Sequence, residues 1–107
     1  MATLSEQDFR VKSDDSLEKA RRSLLPLADD EGFEIELQNG VLVLAFEEPA
    51  EAKFVVSPNA PVRQIWVSAM ARSYKLSWVA DHGDFELNGE PLPVLLERLV
   101  NQFLGKH

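Results

Sequence analysis

The hydrophobic period of this chain changes twice, and that double change most restricts what it can fold into. Apolar residues recur every three or four positions at the start, at alternate positions through the middle, and every three or four again near the end. Such an order calls for a helix, a run of strands and a second helix.

The first helix is expected from Ser5 to about Ala28, because Phe9, Ser13, Leu17, Ala20, Leu24 and Leu27/Ala28 share one face. Ser5, with Asp8 three residues on, suits an N-cap. Asp15 with Lys19, and Glu18 with Arg22, are acid-to-base pairs at i,i+4 and support an exposed flank. Pro26 lacks an N–H and is expected to kink or end the last turn, before Gly32 closes the connection.

Phe33, Ile35 and Leu37 alternate with Glu34, Glu36 and Gln38, a strand with one wet face. Asn39-Gly40 is a strong hairpin signal, and Val41 to Phe46 is the return strand, apolar enough to be central. Lys53 to Ser57 reads as a third strand, and Pro58 and Pro61 bracket a rigid loop. Arg63–Ser68, Ser73–Val79 and a short Phe85–Leu87, expected at the sheet edge, follow. After the Asn88-Gly89 turn, Pro91 opens a final helix. Its buried face is Leu92, Leu95, Leu96, Leu99, Val100 and Phe103, and Gly105 stops it. The expected fold is therefore α+β: a two-layer sandwich with an antiparallel sheet of about six strands. Both helices pack on one face and the other face is open to solvent. At 107 residues and 45% apolar, the whole chain, 1–107, suits one domain with a real core.

Composition removes several chemistries. Without cysteine there is no disulfide, thiolate metal site, cysteine nucleophile or cysteine-ligated cluster. A metal would sit on oxygen ligands, or on His82 or His107. The net charge is −7, and residues 1–51 hold 13 of the 18 acidic side chains against 5 of the 11 basic ones. That field argues against nucleic acid and favours cations or basic protein surfaces. The opening Met1 to Asp8 lacks the basic and apolar regions of a targeting segment, and no apolar run could span a membrane. The chain reads as cytoplasmic and bacterial, and, with no self-complementary apolar seam, as a monomer.

Catalytic patterns are missing, and the chain does not read as an enzyme. His82, within Asp81-His82-Gly83-Asp84, reads as a turn residue, and His107 ends the chain. Two surface features stand out. Asp14, Asp15 and Glu18 form one patch on the first helix. Asp29, Asp30, Glu31, Glu34 and Glu36 form another at its end and along the first strand. Each is either a solvated surface or a weak site for hard cations or a basic partner. The second feature is Gln64-Ile65-Trp66-Val67-Ser68, which sends Ile65 and Val67 to the core and Gln64, Trp66 and Ser68 to the opposite face. Trp66 there is either an interaction hot spot or half-covered by a neighbour such as Tyr74 or Trp78.

At Asn39-Gly40-Val41-Leu42 and Gln64-Ile65-Trp66-Val67-Ser68 the chain resembles the frataxin family in its bacterial, CyaY type. Pro61, Tyr74, Trp78 and the closing Leu92-x-x-Leu95-Leu96 support the resemblance, which runs from Asp8 to about Phe103. It implies an accessory role in iron–sulfur cluster assembly, with docking on a cysteine desulfurase and its scaffold protein. It also implies weak iron binding through carboxylates. By position, Asp14, Asp15, Glu18, Asp30, Glu31, Glu34 and Glu36 fall in or beside the family's acidic ridge. Asn59, Gln64 and Trp66 fall on its partner-contact surface. An iron carrier or buffer, or an adaptor with an unrelated partner, is the alternative role. Two departures matter. Lys19-Ala20-Arg21-Arg22-Ser23-Leu24-Leu25-Pro26 puts two arginines where the ridge has acids, which favours the Asp29–Glu36 segment for any metal. Ala69-Met70-Ala71-Arg72-Ser73 lacks the family's glycine. The chain closes at His107 without an extension over the groove between the helices, so modest stability is expected.

Overall fold

A computed structural model describes residues 4–106; the first three residues and His107 lie outside them. The order is α1 (Glu6–Glu31), β1 (Glu34–Gln38), β2 (Val41–Phe46), β3 (Ala52–Asn59), β4 (Gln64–Ala69), β5 (Arg72–Val79), β6 (Asp84–Leu87), β7 (Glu90–Pro91) and α2 (Leu92–Phe103). A 3₁₀ turn, Ala60–Val62, separates β3 from β4. All strands pair antiparallel with their sequence neighbours, in the spatial order β1 to β7.

Both helices cover the same sheet face, as the alternation requires. Leu42, Leu44, Phe54, Val56, Ile65, Val67, Leu76 and Phe85 point inward and are fully buried. From α1 come Phe9, Leu17, Ala20, Leu24 and Ala28, and from α2 Leu92, Leu95, Leu96, Leu99 and Val100. Phe103 of α2 is half-buried and meets Phe46 and Phe54 at ring-centroid distances of 4.8 and 5.6 Å. Truncating a core leucine such as Leu44 to alanine removes roughly 2–5 kcal/mol.

Caps and turns follow local chemistry. The Ser5 hydroxyl accepts from the Asp8 N–H at 3.0 Å, and Gly32 ends α1 in the left-handed region at φ 79°. Asn39 and Gly40, at φ 53° and 75°, close the two-residue β1–β2 hairpin, whose last pair is Gln38 with Val41.

Three expectations are corrected. Helix α1 runs through Pro26 to Glu31. Pro26 is exposed, so the carbonyl that its missing N–H leaves free has access to water, while Leu24 and Ala28 hold the turn on the core. Pro58 lies inside β3, opposite Ile65, rather than in a loop. Pairing with β2 stops at Val56, so Pro58 occupies a stretch bonded on one side, where proline is tolerated. Finally, β6 is not the edge. After Asn88-Gly89 the chain doubles back, and Glu90 and Pro91 pair with Leu87 and Glu86.

The β4–β5 connection turns tightly without glycine. Ala69 pairs with Arg72, and Met70 and Ala71 take φ 51° and 62°. Each left-handed non-glycine residue costs roughly 1–2 kcal/mol. Met70 is half-buried against the core, whereas Ala71 is exposed. Ala71→Gly should therefore raise stability by about 1 kcal/mol. The check is a higher urea midpoint at unchanged slope; a lower midpoint would mean that the turn carries no such strain.

Candidate functional site

The sheet face away from the helices carries the first candidate surface. On β4, Gln64, Trp66 and Ser68 point outward, with Ile65 and Val67 buried behind them. Trp66 sits between Ser57 on β3 and Lys75 on β5. The Lys75 ammonium lies 4.8 Å from the indole ring centroid, a cation–π contact. The Trp66 Nε1–H donates to Gln64 Oε1 at 3.0 Å, and Gln64 Nε2 donates to Ser77 Oγ at 3.3 Å. A half-buried tryptophan is thereby held in one orientation with its polar edge satisfied. Asn59 pairs with Gln64 at the end of the β3–β4 ladder. Arg63, at φ 52°, donates from Nε to the Leu4 carbonyl at 2.9 Å and from Nη1 to the Ala60 carbonyl. That clamp ties the turn below Asn59 to the start of the chain.

Trp66 is covered by Lys75, not by Tyr74 or Trp78. Those two lie on the helix-facing side: Tyr74 pairs with buried Val67, and Trp78 packs on Phe85 at 5.2 Å. The Lys12 ammonium lies 5.5 Å from the Trp78 ring centroid. Sequence reasoning missed Lys75 and Ser77 as members of this surface. Their alternation with buried Leu76 places them outward, but only the β4–β5 register brings Lys75 beside Trp66. Half-buried Val43 and Val55 pair across β2 and β3 on the same face and continue it toward β1.

The acidic residues do not form a single array. Asp14 faces the Asn39-Gly40 turn, in a hollow it shares with Arg10. Asp15 lines a cleft on another flank of α1 with Glu18, Lys12, Lys19, Arg22 and Trp78. The expected Asp15–Lys19 pair is not among the ion pairs of the described residues, whereas Glu18–Arg22 is formed. Glu18 Oε1 accepts from Arg21 Nη2 at 2.7 Å and from Arg22 Nε at 3.1 Å, and its Oε2 accepts from Arg21 Nε at 2.8 Å. Arg21, which the sequence placed only where the family's ridge has acids, is the principal partner.

Farther along, Asp30 is exposed and Glu31 pairs with Lys106 beyond α2. Glu34 and Glu36 project from β1 opposite Ala45 and Val43, in a hollow shared with Asp29 and Lys53. Among the described residues no three Asp, Glu or His side chains converge closely enough to hold one ion. His82 is the turn residue it was read as. It joins β5 to β6, with Nδ1 2.8 Å from Oε2 of Glu86, whose side chain is only 6% exposed.

Fold and surface together define a two-helix α+β sandwich with one open, tryptophan-bearing sheet face. The sequence matches the frataxin-like domain family over residues 2–106, and the chain belongs to that family. It is 30% identical over 112 residues to the "Iron-sulfur cluster assembly protein CyaY" of Pseudomonas fluorescens strain Pf0-1, covering 96% of this chain and 92% of that protein. It is 26% identical over 106 residues to the protein of the same description from Pseudomonas putida strain F1, covering 97% and 93%. The corresponding Pseudomonas aeruginosa PAO1 protein is 34% identical over 74 residues, covering 65% and 67%. No helix of the described residues is long and apolar enough to cross a membrane.

The hydrogen bonds from Arg21 pull the Glu18 carboxyl from its ordinary 4.5 down to about 2, with its charge and Arg22 adding to the effect against partial desolvation. Because the folded value is the lower one, the pairing stabilises the fold above pH 4.5 and fades as pH falls toward 2. Glu18→Gln should thus lie below the parent in stability near neutral pH, with the gap narrowing on acidification. Urea midpoints across that range check it; a gap independent of pH would rule out the pairing as the cause.

Proposed function

We propose that this chain is a non-catalytic accessory protein of iron–sulfur cluster assembly that works by docking on a protein partner through its open sheet face. The partner in this reading is the cysteine desulfurase with its scaffold protein. The observation that carries the reading is Trp66. It stands half-exposed on a face without a covering layer, oriented by Gln64 and Lys75 and backed by the buried Ile65 and Val67. A pre-oriented aromatic side chain with a polar rim is the usual anatomy of an interface hot spot, since little side-chain entropy is lost on binding.

The family assignment and the descriptions of the Pseudomonas relatives support the pathway. The net charge of −7 supports a protein partner with basic surface rather than nucleic acid. Asn59 and Gln64 would rim the contact, and Val43 and Val55 would extend it.

Trp66→Ala should weaken binding to the desulfurase–scaffold complex by about thirtyfold, the loss expected for a hot spot of about 2 kcal/mol. Calorimetric titration measures this, with circular dichroism verifying the fold. Unchanged affinity would remove Trp66 from the interface.

A further inference from the structure

Carboxylates on the first helix are the expected place for iron in a chain of this family, so their fit can be tested on α1 directly. A cation needs carboxylate oxygens with free lone pairs, several of them within reach of one point. Glu18 is the acid nearest the middle of α1, and it has little to offer. Its two oxygens already accept three hydrogen bonds, at 2.7, 2.8 and 3.1 Å, from two guanidinium groups. A carboxylate presents about four acceptor positions in all.

The neighbours reinforce the misfit. Asp15 shares its cleft with Lys12, Lys19 and Arg22, so an ion beside Asp15 would face three cationic side chains. Asp14 is turned to another flank, toward the Asn39-Gly40 turn. Glu18 lines the same cleft, so Asp15 is the one carboxylate of this stretch beside it, and among the described residues no third acid joins the two closely enough to hold an ion. The arginines are held as well. Arg21 makes a two-bonded contact with Glu18 while its side chain is only 32% exposed, and Arg22 is anchored by its Nε alone. Such fork contacts are geometrically specific, which separates them from the screened and mobile pairing of an ordinary surface lysine.

We infer that the Asp14–Glu18 stretch of α1 excludes metal: Arg21 and Arg22 occupy, as built-in cations, coordination positions on Glu18 that an ion would need. That stretch of the helix surface is neutralised from within, so the contribution of this protein to cluster assembly does not pass through iron held there. The inference rests on the Glu18 geometry and not on the docking role of Trp66, so either can fail without the other.

The test is a Mn²⁺ titration followed through the ¹⁵N amide resonances, because Mn²⁺ takes carboxylate oxygens and broadens nearby signals. In the parent chain the amides of Asp14, Asp15 and Glu18 should keep their intensity. In Arg21→Gln/Arg22→Gln they should broaden at roughly tenfold lower Mn²⁺ or less, as expected when cations are removed from the side of a carboxylate. Unperturbed amides across β2 to β5 would verify the fold. Arg22→Gln alone, at a side chain that is 75% exposed, should give an intermediate response. Equal broadening around Glu18 in parent and double variant would overturn the inference. Broadening in neither would overturn the role given to the arginines.

Discussion

One sheet face must be buried by helices drawn from the two ends of the chain, and the rest of the structure depends on that closure. The strands alone form a meander with an apolar side, and no strand pairing can cover it. The closure is largely aromatic. Phe33, Phe46, Phe54 and Phe103 stack at one end of the core, with ring centroids 4.7 to 5.6 Å apart. Toward α1 and β6, Phe9 meets Phe85 edge-on at 5.6 Å, and Trp78 leans on Phe85. These contacts join residues from the first and last helices to the middle strands, so neither helix is an appendage to a sheet that stands without it.

Burying one face leaves the other free for a partner. Strand β4 shows the coupling most directly. The same alternation that drives Ile65 and Val67 into the core presents Gln64, Trp66 and Ser68 outward. A core defect that tilted β4 would therefore also move Trp66. The position of the indole is set from behind by packing and from the sides by Gln64 and Lys75, while the strand ladders supply rigidity. Charge is organised more locally. Glu18 is consumed by Arg21 and Arg22, Glu31 by Lys106, Glu90 by Arg98, and Glu86 contacts His82. What remains of the acidic excess is spread over separate surfaces rather than gathered at one point.

Much of the fold was legible because the local signals agreed with one another. The cap at Ser5 and the Asn39-Gly40 and Asn88-Gly89 turns all stand where their chemistry put them, whereas Gly32, read as closing the connection, caps the helix itself. The misreadings occurred where local rules meet tertiary context. Pro26 was expected to kink or end the last turn of a helix that packing carries on to Glu31, and Pro58 to open a rigid loop where one-sided pairing instead continues the strand. The two-residue β7 carries no periodicity of its own and exists only because the Asn88-Gly89 turn folds it back onto β6. The candidate site was half legible. Trp66 and Gln64 were readable from alternation along β4, but their partners Lys75 and Ser77 come from β5 by register.

The double change of hydrophobic period by itself determined two helices, a strand meander, one core face and the side of the sheet on which Trp66 lies. These follow from which residues must leave water, and that is written along the chain at fixed spacings. Only the tertiary structure decided what lies beside what. It laid Lys75 against the indole, spread the acids over different flanks, and made Arg21 rather than Arg22 the main partner of Glu18. The reason is physical: spacing assigns a residue to a face, whereas helix rotation, strand register and side-chain rotamers fix distances of a few ångströms, on which hydrogen bonds and metal sites depend.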